Sequence, residues 1–169
     1  MRKSLYTAIL AIGMIVSLIA CGAAPDPTED AAAANPVPSE EAEYESAEGK
    51  QIKVTAGEVE VIVTLNDSRA AADLVQMLPL ELTLIERNSF AKGMTLPAWL
   101  SAEEATTREY EIGDFGYWDA GPDLAIFYDD IYEQTIVPVI PLGKVESGAE
   151  LLANTSGTVT LELVEAGSE

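Results

Sequence analysis

The sequence predicts a mostly β domain, a closed barrel or sandwich of short strands with two short helices. Three observations carry that prediction. Short runs of alternating apolar residues recur from Ile52 to Leu163. Gly, Pro, Asn and Asp punctuate them at turn spacing. Helical periodicity is confined to two short stretches.

The N-terminus stands apart from that domain. Residues 1–20 open with Arg2 and Lys3 and run apolar from Tyr6 to Ala20, the layout of a secretory signal with a charged start and an apolar middle. About 15 apolar residues fall short of the roughly 20 that a permanent span needs; the competing reading is an uncleaved anchor. Leu18-Ile19-Ala20-Cys21 resembles the lipobox of bacterial lipoproteins, in which the cysteine is acylated and becomes the new N-terminus. Cys21 is the chain's single cysteine, so this reading predicts lipid attachment at Cys21 and no disulfide. A packed core must then supply the stability.

Residues 21–49 hold the acylated cysteine and a tether. From Gly22 to Gly49 there are eight acids, four prolines and no base, a composition that cannot form a core. As a flexible coil its 28 residues would span about 30 Å. Calcium capture is the alternative role, but the run lacks the alternating Asp/Asn and Gly spacing of a calcium loop.

The folded domain is expected over residues 50–169. "IKVTAGEVEVIVTL" alternates in two runs about Ala56-Gly57, a hairpin. Asn66, Asp67 and Ser68 are N-cap candidates for a helix carrying Leu74, Met77 and Leu78, which Pro79 stops. "LELTLIE" alternates as a half-buried strand. "SFAKGMTLPAWLSAEEATT" reads mostly as loop, with Ser101 and Glu104 at capping-box spacing for one short turn. "TREYEI" and "DFGYW" read as strands flanking Gly113-Asp114, and "DLAIFY" as a third. Pro138 and Pro141 point to an edge strand or a bulge. "SGAELLAN" is a short helix and "GTVTLELVE" the closing strand.

Charge narrows the function. Twenty-nine Asp and Glu face nine Lys and Arg, a formal net charge of −20, and Arg2 and Lys3 leave with the signal. Such a surface repels phosphate backbones and anionic lipid heads, so nucleic acid is excluded as a partner and membrane attachment falls to the covalent lipid. With no histidine and no free thiol, Ser-His-Asp, Cys-His and zinc-ligand arrangements are excluded too. No phosphate-cradling glycine loop occurs, and carboxylate pairs such as Asp129-Asp130 follow from composition as readily as from a glycosidase dyad. No catalytic residue, metal or cofactor is expected.

The order and spacing of Leu78-Pro79-Leu80, Gly113-Asp114, Tyr117-Trp118, Gly121, Ile126-Phe127-Tyr128 and Pro141-Leu142-Gly143-Lys144-Val145 resemble the bacterial cyclophilin-like domains, over about residues 52–165. The resemblance implies a closed eight-stranded β-barrel with a helix near each end. Cyclophilins isomerise prolyl peptide bonds with an arginine after a Phe-His pair; here "LIER" brings Ile85 and Glu86 before Arg87, and the histidine is missing. Phe115, Tyr117, Leu124, Ile126 and Tyr128 share the parity that fills a barrel, whereas Trp118 and Phe127 have the opposite parity and face outward. Arg87, Trp118, Phe127 and Tyr132 are therefore the candidate ligand groove. The expected function is a lipid-anchored, extracytoplasmic binding module for a peptide or an envelope protein, in the cell membrane or in an outer membrane where the host has one. The alternative is a reduced prolyl isomerase with Arg87 as its donor.

Overall fold

A computed structural model describes residues 44–165. The signal segment, Cys21 and most of the tether lie outside these residues. Eight strands run β1 (Gln51–Ala56), β2 (Val59–Leu65), β3 (Leu80–Arg87), β4 (Ala91–Thr95), β5 (Asp114–Trp118), β6 (Asp123–Phe127), β7 (Ile140–Val145) and β8 (Gly157–Leu163). Helix α1 (Arg69–Met77) follows β2, and a 3₁₀ helix (Ala149–Asn154) follows β7. Around the barrel the order is β1-β2-β7-β5-β6-β4-β3-β8, closed by β1 against β8, and neighbouring strands are antiparallel. The fold is the closed eight-stranded barrel that the family resemblance implies, and it settles the choice between barrel and sandwich.

Alternation decides what each strand buries. Ile52 and Val54 of β1, Val61, Val63 and Leu65 of β2, and Val159 and Leu161 of β8 point inward and are at most 3% exposed. Phe115, Tyr117, Leu124 and Ile126 fill the far wall of the same core. Gly57, at φ +63°, turns the β1–β2 hairpin. The Pro141 region carries the expected irregularity, a bulge where β7 passes β5 between Phe115 and Gly116.

Helix α1 caps one end. The Ser68 hydroxyl accepts from the Ala71 N–H at 3.1 Å, the N-cap arrangement the sequence predicts. Ala70, Ala71 and Leu74 are fully buried beneath it, and the small alanines let the helix axis approach the barrel closely. Residues 44–49, assigned to the tether on composition, fold against this end: Ala47 is fully buried and the Gly49 N–H donates to the Leu65 carbonyl at 3.0 Å.

Three expectations are corrected. Ala91–Thr95, read as loop, is β4, a full barrel strand between β3 and β6. "TREYEI" is irregular, pairing only through an isolated bridge between Thr107 and Val139. Ser101 and Glu104 start no helix; instead the Glu104 carboxylate accepts from the Arg69 N–H at 2.6 Å, and the Ser101 N–H donates to Asp73 Oδ2 at 2.8 Å. The 100s loop thus latches onto α1, with a carboxylate at the positive end of that helix.

Candidate functional site: an outer groove across β3, β4, β6 and β5

Register lays out the outer face of these strands in three rows. Arg87, Ala91 and Phe127 lie opposite one another; so do Gly93, Ala125 and Gly116, and then Thr95, Asp123 and Trp118. On β4, β6 and β5 the middle row carries no side chain larger than a methyl group, so it forms a trough, bounded by Ile85 on β3 and by Val139 against Gly116. Arg87 lies in that trough. Its guanidinium crosses β4 and reaches the Asp123 carboxylate on β6 at 3.1 Å, and a Cβ added to Gly93 would come within 2.7 Å of Arg87 Nε. The other Asp123 oxygen accepts from the Thr95 hydroxyl.

Over this sheet sits a cavity of about 670 Å³. Arg87, Phe90, Trp118, Asp123, Tyr132 and Ile136 are among its walls, contributed by the β3–β4 turn, the β5–β6 hairpin and the 130s loop. The turn is tight because Asn88 and Ser89 both adopt left-handed backbone, at φ +53° and +62°, which brings the Phe90 N–H to the Arg87 carbonyl at 3.3 Å; Phe90 is the third loop residue before Ala91 pairs with Arg87. Tyr132 is 51% and Ile136 82% exposed, unusual for large apolar side chains rimming a hollow. Two donors in the wall are unmet: Arg87 Nε and Trp118 Nε1 are closed to water and have no acceptor. Each such N–H costs about 1–3 kcal/mol.

Beneath the cavity lies an aromatic layer. Phe127 packs 4.7 Å from Tyr110, 5.5 Å from Phe90 and 6.2 Å from Trp118, the last edge-on, measured between ring centroids. Tyr132 meets Phe90 edge-on at 5.3 Å, and its N–H donates to the Tyr110 hydroxyl at 3.1 Å. These contacts tie the 130s loop to the sheet.

On the inner face the same strands carry a polar cluster. Glu86, Lys92 and Ile126 lie opposite one another, continuing the core rows of Leu84, Met94 and Leu124 toward the barrel mouth. Lys92 is 2% exposed and binds Glu86 at 2.7 Å; the Tyr128 hydroxyl donates to the same carboxylate at 2.9 Å. Desolvation pushes the Glu86 carboxyl upward, but hydrogen bonds from Lys92, Tyr128 and the Ser89 backbone outweigh it and hold it below its ordinary range. Burial first, and then the bond to Glu86, push the Tyr128 phenol up to about 12. All three groups hold each other and leave no free base for proton transfer.

The family model of the cyclophilin-like family matches residues 54–164. The chain belongs to the cyclophilin-like family. No curated protein matches the sequence. Among solved structures, this cyclophilin-like barrel is similar to the hypothetical protein AF2241 from Archaeoglobus fulgidus, solved in solution, at 17% identity and a TM-score of 0.59 over 71% of this chain and 98% of that one. It is also similar to McbB, solved in complex with tryptophan, at 16% identity and a TM-score of 0.53. That match covers 70% of this chain and 47% of McbB, so the chain spans about half the length of that relative. At such identities the likeness is one of fold.

Within the cyclophilin-like barrel, three of the four candidate groove residues meet at the cavity: Arg87, Trp118 and Tyr132. Phe127 does not. Its parity is outward as expected, but Phe90, Tyr110 and Trp118 cover it, and at 1% exposure it forms the floor behind the wall. Tyr128, expected in the barrel filling, joins the Glu86–Lys92 cluster instead of the main core. Asp123, Phe90 and Gly93 were not singled out by the sequence. Asp123 stood as the first residue of the "DLAIFY" strand, and the other two lay in a stretch read as loop; a hairpin reading of Asn88-Ser89 would have exposed both.

Proposed function

We propose that the chain is a lipid-anchored extracytoplasmic binding module, acylated at Cys21, whose barrel receives a peptide in the outer groove over β3, β4, β6 and β5. The observation that carries this reading is the cavity of about 670 Å³ with an aromatic and aliphatic rim and unmet donors in its wall. Ligand pockets are built in this way, with few polar groups set into apolar walls. The anchor rests on the signal layout and the lipobox-like Leu18–Cys21, and it places the barrel outside the cytoplasm.

Isomerisation is the weaker alternative. It needs a donor free to reach the prolyl nitrogen, whereas the Arg87 guanidinium is bedded on Gly93 and tied to Asp123. Docking of an envelope protein through Arg108 or Lys144 is weaker too: Glu111 at 2.6 Å and Asp114 at 3.2 Å already engage Lys144.

Titrating the isotope-labelled chain with X-Pro tetrapeptides tests the groove. Shift changes gathered around Trp118 and Tyr132, with peptide cis–trans exchange no faster than in free solution, are the expected result. Exchange accelerated by the protein and lost in Arg87→Ala would replace binding with catalysis. For the anchor, Cys21→Ser is expected to release the protein from the membrane fraction and abolish labelling by a fatty-acid probe.

A further inference from the structure

Resting on the groove proposed above, the charges and donors around it narrow what it accepts. From Glu109 to Gly143 there is no lysine or arginine, and Asp119, Asp123, Asp129, Asp130 and Glu133 all fall within that span. The same span supplies the β5–β6 hairpin and the 130s loop, hence two of the three cavity walls. The third wall brings Arg87, whose charge is met by Asp123. Lys92 lies on the opposite, inner face and is bound to Glu86. Asp123 is the one acid in the cavity wall and is paired with Arg87. Exposed Asp119 and Glu133, each beside wall residues, outnumber the one further base nearby, Arg108, whose carbonyl accepts from the Thr135 N–H at 2.9 Å, so the rim is net negative.

Its unmet polar groups have the other sense. Arg87 Nε and Trp118 Nε1 are donors, and both flank Asp123: Arg87 through its ion pair and Trp118 directly across the β5–β6 register. A ligand carboxylate brought to them would meet the Asp123 charge. A neutral carbonyl oxygen would not.

We infer that the groove is a site for a basic peptide segment, with a backbone carbonyl accepting from the Trp118 Nε1–H and an adjacent Lys or Arg side chain in the field of the acidic residues around the rim. Charge argues against the other occupants of an apolar groove. The chain's own tether, residues 22–43, has six acids and no base. A second copy carries the same net charge of −20, and an anionic bilayer is repelled equally. The Trp118 Nε1–H is closed to water, so seating the carbonyl requires the side chains over it to move.

The test uses the full chain labelled at its two tryptophan indoles and three blocked tetrapeptides, Ac-Ala-Lys-Pro-Ala-NH2 and its Gln and Glu counterparts. Trp99, 61% exposed and outside the cavity wall, serves as an internal control. The Lys peptide is expected to bind about fivefold more tightly than the Gln peptide at low salt, with the Glu peptide weaker still and the gap closing as salt rises. The Trp118 indole proton is expected to move downfield while Trp99 stays in place. Trp118→Phe keeps an aromatic ring, though a smaller one, but removes the N–H, and is expected to cost about tenfold in affinity. Equal binding of all three peptides, or binding that leaves the Trp118 indole unmoved, overturns this inference while the peptide groove stands. Failure of all three to bind overturns both.

Discussion

Gly93 and Arg87 show how one missing side chain shapes a surface. The guanidinium stays low against the sheet because nothing on β4 lifts it. Gly93→Ala introduces a methyl group against Arg87 Nε and Cγ; the side chain must leave its bed and the link to Asp123 breaks. The expected result is a fold retained with a loss of about 1–2 kcal/mol, read by chemical denaturation, and a changed Arg87 Nε–H resonance. Tyr128 sets a different expectation. In the unfolded chain its phenol ionises near pH 10, and in the folded protein near about 12. Between these values the unfolded state gives up a proton that the folded state keeps, so the Tyr128 contribution is full below pH 10 and is lost as pH rises through 12. Thermal midpoints of Tyr128→Phe should therefore fall less steeply above pH 10 than those of the parent. At this scale the sequence was legible where a side chain's fate follows from strand parity alone, as for Trp118. It was illegible for Phe127, because residues distant in sequence, Tyr110 and Phe90, cover a face that parity leaves open.

Among the elements, β4 was the hardest to see. Its AKGMT composition has low β propensity, and the inward Lys92 breaks the apolar alternation that marks a strand. Both departures have local causes: Gly93 makes room for Arg87, and Lys92 answers Glu86 across the β3–β4 register. The strand signal was weakened by the residues that build the groove and the mouth cluster. Helix α1 was legible because its start signal is chemical and local. Ser68→Ala is expected to cost about 1 kcal/mol, measured as a lower denaturation midpoint with an unchanged slope, since the surface exposed on unfolding stays the same. "TREYEI" alternates like a strand, yet it is drawn off the barrel to lay Tyr110 over Phe127.

For the molecule as a whole, the ledger of charge matters more than any one pair. A net charge of −20 stores self-repulsion in the compact state that dissolved salt screens. Raising sodium chloride from about 0.02 to 0.5 M should raise the melting temperature by roughly 2–6 °C, although the six ion pairs among the described residues weaken over that range. A falling midpoint would show that those pairs outweigh the global repulsion.

The β1–β8 seam has a consequence for the birth of the protein. Ile52 pairs with Leu163, and Val54 with Leu161, so the first strand to emerge waits for the last. A chain appearing N-terminus first, from a ribosome or through a translocation channel, carries β1 beside β2 with its other flank bare until residues 157–163 arrive. Contacts so far apart in sequence make ordering slow. During that interval the bare flank is a row of unpaired backbone donors and acceptors, open to any other strand nearby. Crowded synthesis should therefore favour joining between neighbouring nascent chains until the final strand shuts the ring.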